Sequence, residues 1–355
     1  MFEVLIVEDS AVVREFLVHL ISSDPGLHVV ATARNGVEAI EAVKQWRPDV
    51  ITMDINMPRM NGFDATRRIM ETSPTPIVIV SGSWDPEEVA TSFRAVEAGA
   101  LAVMPRPSGI GHPNHAAMAA NLIQTVKLMA EVKVVRRWGR TPHEAPAVTA
   151  LDSDPARTPL IPGEVQAVAI GASTGGPPVL QTILSRLPKT FPAPVFIVQH
   201  MAAGFMQGFT EWLGQSSSLP VSIAVHGQGA VPGSAYVAPD GFHMQVQRGR
   251  CISLVGDPPE HGLRPSVSSL FRSVARACGP DAVGVLLTGM GKDGAAELKM
   301  MRDAGAVTIA QDKESSVVHG MPGEALKLDA ASYVLSPEQI AVALASLASR
   351  NHERR

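Results

Sequence analysis

The sequence predicts an α/β protein of two domains, each built on a parallel β-sheet that helices cover. Its 355 residues exceed the ~100–200 of an ordinary domain, so two domains are favoured over one. Short β-branched runs alternate with segments of helical periodicity in both halves, a pattern typical of parallel sheets. Between the halves, residues 136–163 are rich in proline and arginine without a sustained period, as expected of a linker.

The first domain is expected to span residues 1–135 and to contain five strands. Continuous apolar runs predict these strands at residues 4–7, 28–33, 50–53, 77–80 and 101–104. Helical spacing of apolar residues predicts helices near residues 13–21, 37–43, 63–70, 87–98 and 116–135. These elements make a complete five-stranded, doubly wound unit.

The second domain is expected to span residues 164–348 and to be a larger, doubly wound and mostly parallel α/β unit. Its predicted strands lie at residues 165–170, 195–198, 221–225, 234–238, 283–287 and 307–310. Residues 349–355 form a polar tail.

Composition narrows the classes of function. The formal net charge is -4 and no long single-sign run occurs, so nucleic acid is not expected as a partner. Cys251 and Cys278 cannot form a disulfide framework and lack the spacing of a metal site. The chain opens without a basic leader segment, and no apolar run approaches the ~18 residues that span a bilayer. We expect a soluble, unprocessed, cytoplasmic protein without direct membrane insertion.

Polar side chains follow several strands of the first domain. Glu8 and Asp9 follow the first strand and Asp54 the third, so parallel pairing gathers three carboxylates at one sheet edge. A hard cation such as Mg²⁺ would neutralise them, and Ser81 and Arg106 reach the same edge. This set suits transfer of a phosphoryl group to a carboxylate. Capping of the next helix is the alternative for Glu8 and Asp9, but it does not account for Asp54.

These residues lie in four segments that resemble the receiver domain of bacterial two-component response regulators, which has a flavodoxin-like fold. The segments are residues 7–10 (VEDS), 53–62 (MDINMPRMNG), 80–82 (VSG) and 106–107 (RP). The resemblance implies that Asp54 is the phosphoryl acceptor and Ser81 the switch hydroxyl. It also implies Mg²⁺ bound by Glu8, Asp9, Asp54 and the Asn56 carbonyl. Two residues depart from the family, since Arg106 replaces the usual lysine and Val103 the usual aromatic.

The first strand of the second domain runs into a glycine-rich turn, residues 171–176 (GASTGG), and then a helix. A dinucleotide site would need glycine in place of Ser173 and an acid after the next strand, where His200 stands instead. A phosphate loop would need a lysine. The third interpretation is Gly-x-Ser-x-Gly, a turn that exposes a serine hydroxyl beside a helix N-terminus able to hold an oxyanion.

Two further strand ends strengthen the third interpretation. His200 follows the strand at 195–198, and Asp293 lies just past the strand at 283–287. Three adjacent parallel strands would thus present a nucleophile, a base and an orienting acid at one edge. Taken singly, each residue is more often structural: Ser173 as a turn residue, His200 as a core histidine, Asp293 as a cap. The order Ser, His, Asp disfavours the usual α/β-hydrolase fold.

Residues 165–348 resemble the catalytic domain of the chemosensory protein-glutamate methylesterases, the CheB family. The matching segments are residues 170–176 (IGASTGG), 198–201 (VQHM), 236–244 (YVAPDGFHM), 264–267 (RPSV), 287–295 (LTGMGKDGA) and 317–322 (VVHGMP). The resemblance implies Ser173 as nucleophile, His200 as general base and acid, and Asp293 as its orienting partner. It places Thr174, Met290 and Gly291 near the oxyanion and Arg264 near the substrate. Ser268 stands where the family often has aspartate.

The two resemblances together imply a phosphorylation-regulated serine hydrolase with no cofactor at the esterase site. It would demethylate glutamate γ-methyl esters, and deamidate glutamines, on cytoplasmic regions of methyl-accepting chemoreceptors. A sensor histidine kinase would be the phosphodonor. The alternatives are a non-catalytic adaptor that binds receptor or kinase under receiver control, and an unrelated serine hydrolase of small esters.

Overall fold

The computed structural model describes residues 1–82, 93–132, 134 and 165–353, with side chains as far as residue 347. The chain forms two compact units, Met1–Ala147 and Val148–Arg355, and each is described by itself. The predicted linker lies outside the described residues. Within the described part of the chain, no helix combines the length and apolar character needed to cross a bilayer.

The first unit is a five-stranded parallel sheet in the order β2-β1-β3-β4-β5. All five predicted strands are confirmed to within two residues at each end. They are β1 (Phe2–Val7), β2 (Leu27–Ala33), β3 (Val50–Met53), β4 (Ile77–Ser81) and β5 (Ala102–Pro105). Since β1 and β3 pair directly, residues that follow them meet at one edge of the sheet.

Helices α1 (Ala11–Ser22), α2 (Gly36–Trp46), α3 (Gly62–Thr72) and α4 (His115–Ala130) cover this sheet. Asn35 and Asn61 precede α2 and α3, and their side chains accept hydrogen bonds from the first-turn N–H groups. The helix predicted to reach residue 135 ends at Ala130 instead. The β-branched valines beyond it have weaker helix propensity, which is the physical reason for the early end. Of the helix predicted at 87–98, only residues 93–97 are described as helical.

The second unit contains a seven-stranded sheet in the order β14-β13-β12-β6-β7-β9-β8, with every pairing parallel. The six predicted strands are confirmed. The seventh strand, at Tyr333–Leu335, was not predicted from the sequence. The strands are β6 (Ala167–Ala172), β7 (Val195–Gln199), β8 (Val221–Ile223), β9 (Ala235–Val237), β12 (Ala282–Leu286), β13 (Val307–Gln311) and β14 (Tyr333–Leu335).

Among the described residues of this unit, six helices and a hairpin surround the larger sheet. The helices are α5 (Gly176–Leu184), α6 (Met206–Ser216), α7 (Val267–Cys278), α8 (Ala295–Asp303), α9 (Met321–Lys327) and α10 (Pro337–Glu353). The antiparallel hairpin of β10 (His243–Gln247) and β11 (Cys251–Val255) was not predicted. It packs on α7, where the Ser273 hydroxyl accepts the Val246 N–H at 2.9 Å.

The central strand β6 is buried along its whole length, and α7 lies directly against it. Gly171 makes this approach possible, because a Cβ there would lie 2.3 Å from Cγ1 of Val267. Val267 is the first residue of α7, so this contact sets where the N-terminus of α7 meets the sheet.

We predict that Gly171→Ala lowers the free energy of unfolding by ~1–3 kcal/mol, the usual cost of overpacking a core. Urea denaturation measures this change. Gly214→Ala is the matched control, since its new Cβ would come no closer than 3.9 Å to Val221. In the double variant Gly171→Ala with Val267→Ala, the two losses should be less than additive; additive losses would contradict the proposed contact.

Candidate functional site

Three neighbouring strands of the second unit, β12, β6 and β7, bring the predicted nucleophile, base and acid to one edge. Ala172 pairs with Gln199, so Ser173 and His200 hold equivalent positions just past the paired strands. The His200 N–H donates to the Ala172 carbonyl at 2.9 Å, and the Ser173 N–H to the Thr288 carbonyl at 3.0 Å. The backbones of the two residues are therefore fixed beside each other.

Asp293 is joined directly to His200. Its Oδ2 lies 2.9 Å from Nε2 of His200, and the two side chains are only 1% and 7% exposed. The same carboxylate accepts the Ser266 hydroxyl at 2.9 Å and the N–H groups of Val267 at 2.7 Å and Ser268 at 3.0 Å. The two N–H groups belong to the first turn of α7, so Asp293 caps this helix as well as holding His200.

The hydrogen bonds decide the ionisation of Asp293. Burial by itself would raise the pKa of this carboxyl group. The hydrogen bond and charge of His200, together with donors from Ser268 and Val267, outweigh burial and hold the pKa of Asp293 well below its usual range. Asp293 is thus a carboxylate that only accepts, so Nε2 of His200 must carry the proton of their shared hydrogen bond.

The loop after β12 lies against Ser173. Gly289 is required there, because a Cβ would lie 2.6 Å from Cβ of Ser173. The Gly289 carbonyl accepts two N–H groups, from Gly320 at 3.1 Å and Met321 at 2.9 Å. Since C=O and N–H of a trans peptide point in opposite directions, the N–H of Met290 faces away from these donors. The Met290 side chain is exposed beside this group.

The other predicted neighbours lie around the same loops. Thr174 is half-buried, and its carbonyl accepts the Thr288 hydroxyl at 3.0 Å. Gly291 is exposed with a φ of 85°, a conformation that favours glycine. Arg264 is exposed, and its Nη1 donates to the carbonyls of residues 256 and 257. These bonds hold its guanidinium against the 256–257 loop.

Sequence reasoning missed several residues of this site. Ser266 and Ser268 donate to Asp293 from more than 20 residues away in sequence, and a periodicity argument carries no signal for such contacts. Gln199 is 2% exposed, and its Nε2 donates to the carbonyls of both Ser173 and His200. A polar residue at the last position of an otherwise apolar strand was the available signal.

The carboxyl edge of the first sheet gathers the predicted acidic residues. Glu8, Asp9 and Asp54 each offer an oxygen within 4.8 Å of the others, with Glu8 and Asp54 buried and Asp9 exposed. Asn56 lies exposed in the loop that follows Asp54, and Ser81 is buried at the end of β4.

The charges of this cluster are poorly compensated by the protein itself. Burial, reinforced by the charge of Asp54, raises the pKa of Glu8 to about 7 despite the nearby Arg106. Burial likewise raises the pKa of Asp54 to about 6. Oε2 of Glu8 is buried and accepts no hydrogen bond from the described residues. A hard divalent cation would add positive charge beyond that of Arg106 and favour the charged forms, so these residues fit Mg²⁺.

Arg106 reaches across this edge to Glu8, with Nη2 3.3 Å from Oε2. Its guanidinium lies over Gly82, where a Cβ would come within 2.8 Å of both Cζ and Nη2. Gly82 therefore provides the space for the wide guanidinium fork, a pairing that sequence reasoning did not anticipate.

Two family profiles match separate segments of the chain. The profile of the CheB methylesterase family matches residues 168–344, and that of the response regulator receiver domain matches residues 4–112. A protein-glutamate methylesterase/protein-glutamine glutaminase of Geobacter metallireducens is 62% identical over 349 residues, 98% of this chain and 99% of its own length. A protein-glutamate methylesterase/protein-glutamine glutaminase from Nitrosospira multiformis is 59% identical over 355 residues, covering 99% of this chain and 99% of its own length.

A solved structure agrees for the second unit. The crystal structure of the Thermotoga maritima CheB methylesterase catalytic domain matches with a TM-score of 0.50 and 37% identity, covering 52% of this chain and 100% of that domain. Fold, site and relatives together define a hydrolase that carries a receiver domain. The chain belongs to the CheB methylesterase family, and its enzyme class is protein-glutamate methylesterase and protein-glutamine glutaminase.

We predict that Gly82→Ala slows phosphorylation of the intact protein by a small-molecule phosphodonor, because the new Cβ displaces the Arg106 guanidinium. In an Arg106→Lys background, the slimmer side chain should remove most of this effect. The double-mutant cycle of Gly82→Ala and Arg106→Lys, measured by the phosphorylation rate, should give a coupling free energy of ~0.5–3 kcal/mol. Equal slowing in both backgrounds would show that residues 82 and 106 act independently.

Proposed function

We propose that the protein hydrolyses glutamate γ-methyl esters, and deamidates glutamines, on cytoplasmic regions of methyl-accepting chemoreceptors. The reaction is carried by Ser173, His200 and Asp293. The observation that supports this most directly is the 2.9 Å bond between His200 and Asp293 at the edge where Ser173 follows the neighbouring strand. The protein acts in the cytoplasm, where these receptor regions lie.

The ring nitrogens of His200 have distinct roles in this proposal. Nε2 carries a proton and donates it in the hydrogen bond to the ionised Asp293. Nδ1 of the neutral ring then has the free lone pair, so it is the atom that accepts the proton of the Ser173 hydroxyl. The orientation is the reverse of the protease arrangement, in which Asp holds Nδ1.

The reaction proceeds through an acyl-enzyme. Oγ of Ser173 bonds to the ester carbonyl carbon while its proton passes to Nδ1 of His200. The tetrahedral intermediate expels the methoxy group, which takes that proton and leaves as methanol; for glutamine, ammonia leaves. Water, deprotonated by His200, then attacks the acyl carbon and releases Ser173 and the glutamate side chain.

The oxyanion of the intermediate needs preorganised N–H donors. We assign this role to the Met290 N–H, which faces away from the donors to the Gly289 carbonyl, and to the Thr174 N–H in the turn before α5. Gly291 gives the loop the open backbone needed beside the substrate, and Arg264 contacts the receptor at the rim.

The receiver, residues 1–135, controls the hydrolase, residues 164–348, through the linker at 136–163. A sensor histidine kinase supplies the phosphoryl group, and Asp54 accepts it. Glu8, Asp9, Asp54 and the Asn56 carbonyl would hold Mg²⁺, which neutralises charge as the phosphoryl group transfers. Arg106 and Ser81 then contact the phosphoryl oxygens. Without phosphorylation, the receiver restrains access of large substrates to Ser173.

We predict that Ser173→Ala abolishes methanol release from a methylated receptor while the protein stays folded, because only a turn hydroxyl is lost. Methanol release and thermal unfolding are the two measurements. Ser185→Ala, which removes an exposed hydroxyl at the end of α5, is the control and should retain full activity. Wild-type turnover in a folded Ser173→Ala protein would refute the proposed mechanism.

We also predict that a phosphodonor with Mg²⁺ raises the esterase rate of the full-length protein on receptor. Asp54→Asn keeps the shape of the acceptor but cannot be phosphorylated, so its rate should not respond. Chelating the Mg²⁺ should remove the response of the wild-type protein as well. An equal response in wild type and Asp54→Asn would mean that Asp54 is not the acceptor.

A further inference from the structure

The Gln199 side chain joins the residues proposed as nucleophile and base. Gln199 is the last residue of β7 and is almost completely buried. Its Nε2 donates to the Ser173 carbonyl at 2.8 Å and to the His200 carbonyl at 2.9 Å. One amide group thus joins the backbones of the two residues that follow β6 and β7.

The orientation of this amide group is fixed by its surroundings. Both neighbours are carbonyl oxygens, which only accept, so the NH₂ group must face them. Oε1 then lies against Gly176, where a Cβ would be only 2.2 Å away. Within the described residues Oε1 has no hydrogen-bond partner, although leaving a buried acceptor unsatisfied costs ~1–3 kcal/mol. The amide is therefore oriented by the two carbonyls to which it donates, at the expense of its own oxygen.

The bond to Ser173 orients a peptide group. The Ser173 carbonyl accepts from Gln199 Nε2 and from the Gly176 N–H, each at 2.8 Å, so it is held on the inner side of the turn. In a planar trans peptide the N–H points opposite to the C=O. The N–H of Thr174 therefore points away from the Gln199 amide and the Gly176 N–H, toward the outer side of the turn.

We propose that Gln199 is a positioning residue that fixes the Thr174 N–H as an oxyanion donor. This inference rests on the proposed role of Ser173 as nucleophile. The amide acts through the peptide between Ser173 and Thr174, and it touches neither substrate nor the His200 ring. Its effect belongs to the transition state, where negative charge develops on the carbonyl oxygen, and not to substrate binding.

The test is Gln199→Met in the full-length protein, assayed with p-nitrophenyl acetate as a small activated ester. Loss of an oxyanion donor costs ~10²–10³ in kcat, and misplacing one should lower kcat by at least ~10-fold while KM stays within about twofold. The acid limb of the pH profile should not move, because the side-chain hydrogen bond between His200 and Asp293 does not involve Gln199. Gln245→Met, which loses one hydrogen bond to Ser269 on the hairpin, is the control and should keep wild-type kcat.

Three results would overturn the inference: an unchanged kcat in folded Gln199→Met, a loss confined to KM, or a shifted acid limb, which would place the effect on His200. The Ser173→Ala variant separates this failure from failure of the proposed function. If Ser173→Ala is inactive and Gln199→Met is normal, only the role of Gln199 is wrong. If Ser173→Ala remains active, the mechanism itself is wrong.

Gly176→Ala tests the position of the Gln199 amide without changing Gln199 itself. It also replaces Gln199→Met as the test if that variant does not fold. Its Cβ would push the amide away from the Ser173 carbonyl, so kcat should fall as in Gln199→Met. In a Gln199→Ala background the closest contact is removed and only the Cβ of Ala172, at 2.8 Å, remains, so Gly176→Ala should cause a much smaller further loss. Additive losses in this cycle would contradict the inference.

Discussion

The hydrogen bonding of the Asp293 carboxylate is the interaction on which the hydrolase site depends. Four donors from His200, Ser266, Val267 and Ser268 converge on it in a buried position. They join the loop after β12, the first turn of α7 and the end of β7. One charge therefore sets the position of a helix, the direction of an imidazole ring and the tautomer of that ring.

The carboxylates of the receiver differ from Asp293 in how far their charge is compensated. Asp293 has enough donors to remain ionised when buried, whereas Glu8 and Asp54 have raised pKa values because burial is not fully compensated. A fully paired carboxylate is a fixed part of a catalytic framework. A cluster of carboxylates with too few donors instead changes its ionisation when a cation binds, which suits a site whose occupancy changes during signalling.

Much of both folds could be predicted from sequence, since strands buried on both faces give continuous apolar runs. The positions of Ser173, His200 and Asp293 after predicted strands indicated that the three residues lie at one edge of the sheet. The structure has them there, because the carboxyl ends of neighbouring parallel strands meet. The hairpin of β10 and β11 was not predicted. Only one of its faces packs on α7, so its sequence shows short runs in which apolar and polar residues alternate. A local pattern can mark Gln199 as an unusual polar residue, but the partners of Gln199, and the pairing of Gly82 with Arg106, depend on tertiary placement.

The strand order also determines when the site comes into existence. β6, β7, β9 and β8 form one side of the larger sheet from a continuous part of the chain, while β12, β13 and β14 add to the other side of β6. A nascent chain that has reached only Ala282 already contains Ser173 and His200 but lacks Asp293, the carboxylate that is hydrogen-bonded to the imidazole ring. The proposed hydrolase site would therefore be complete only after β12 and the loop that follows it have joined the other side of β6.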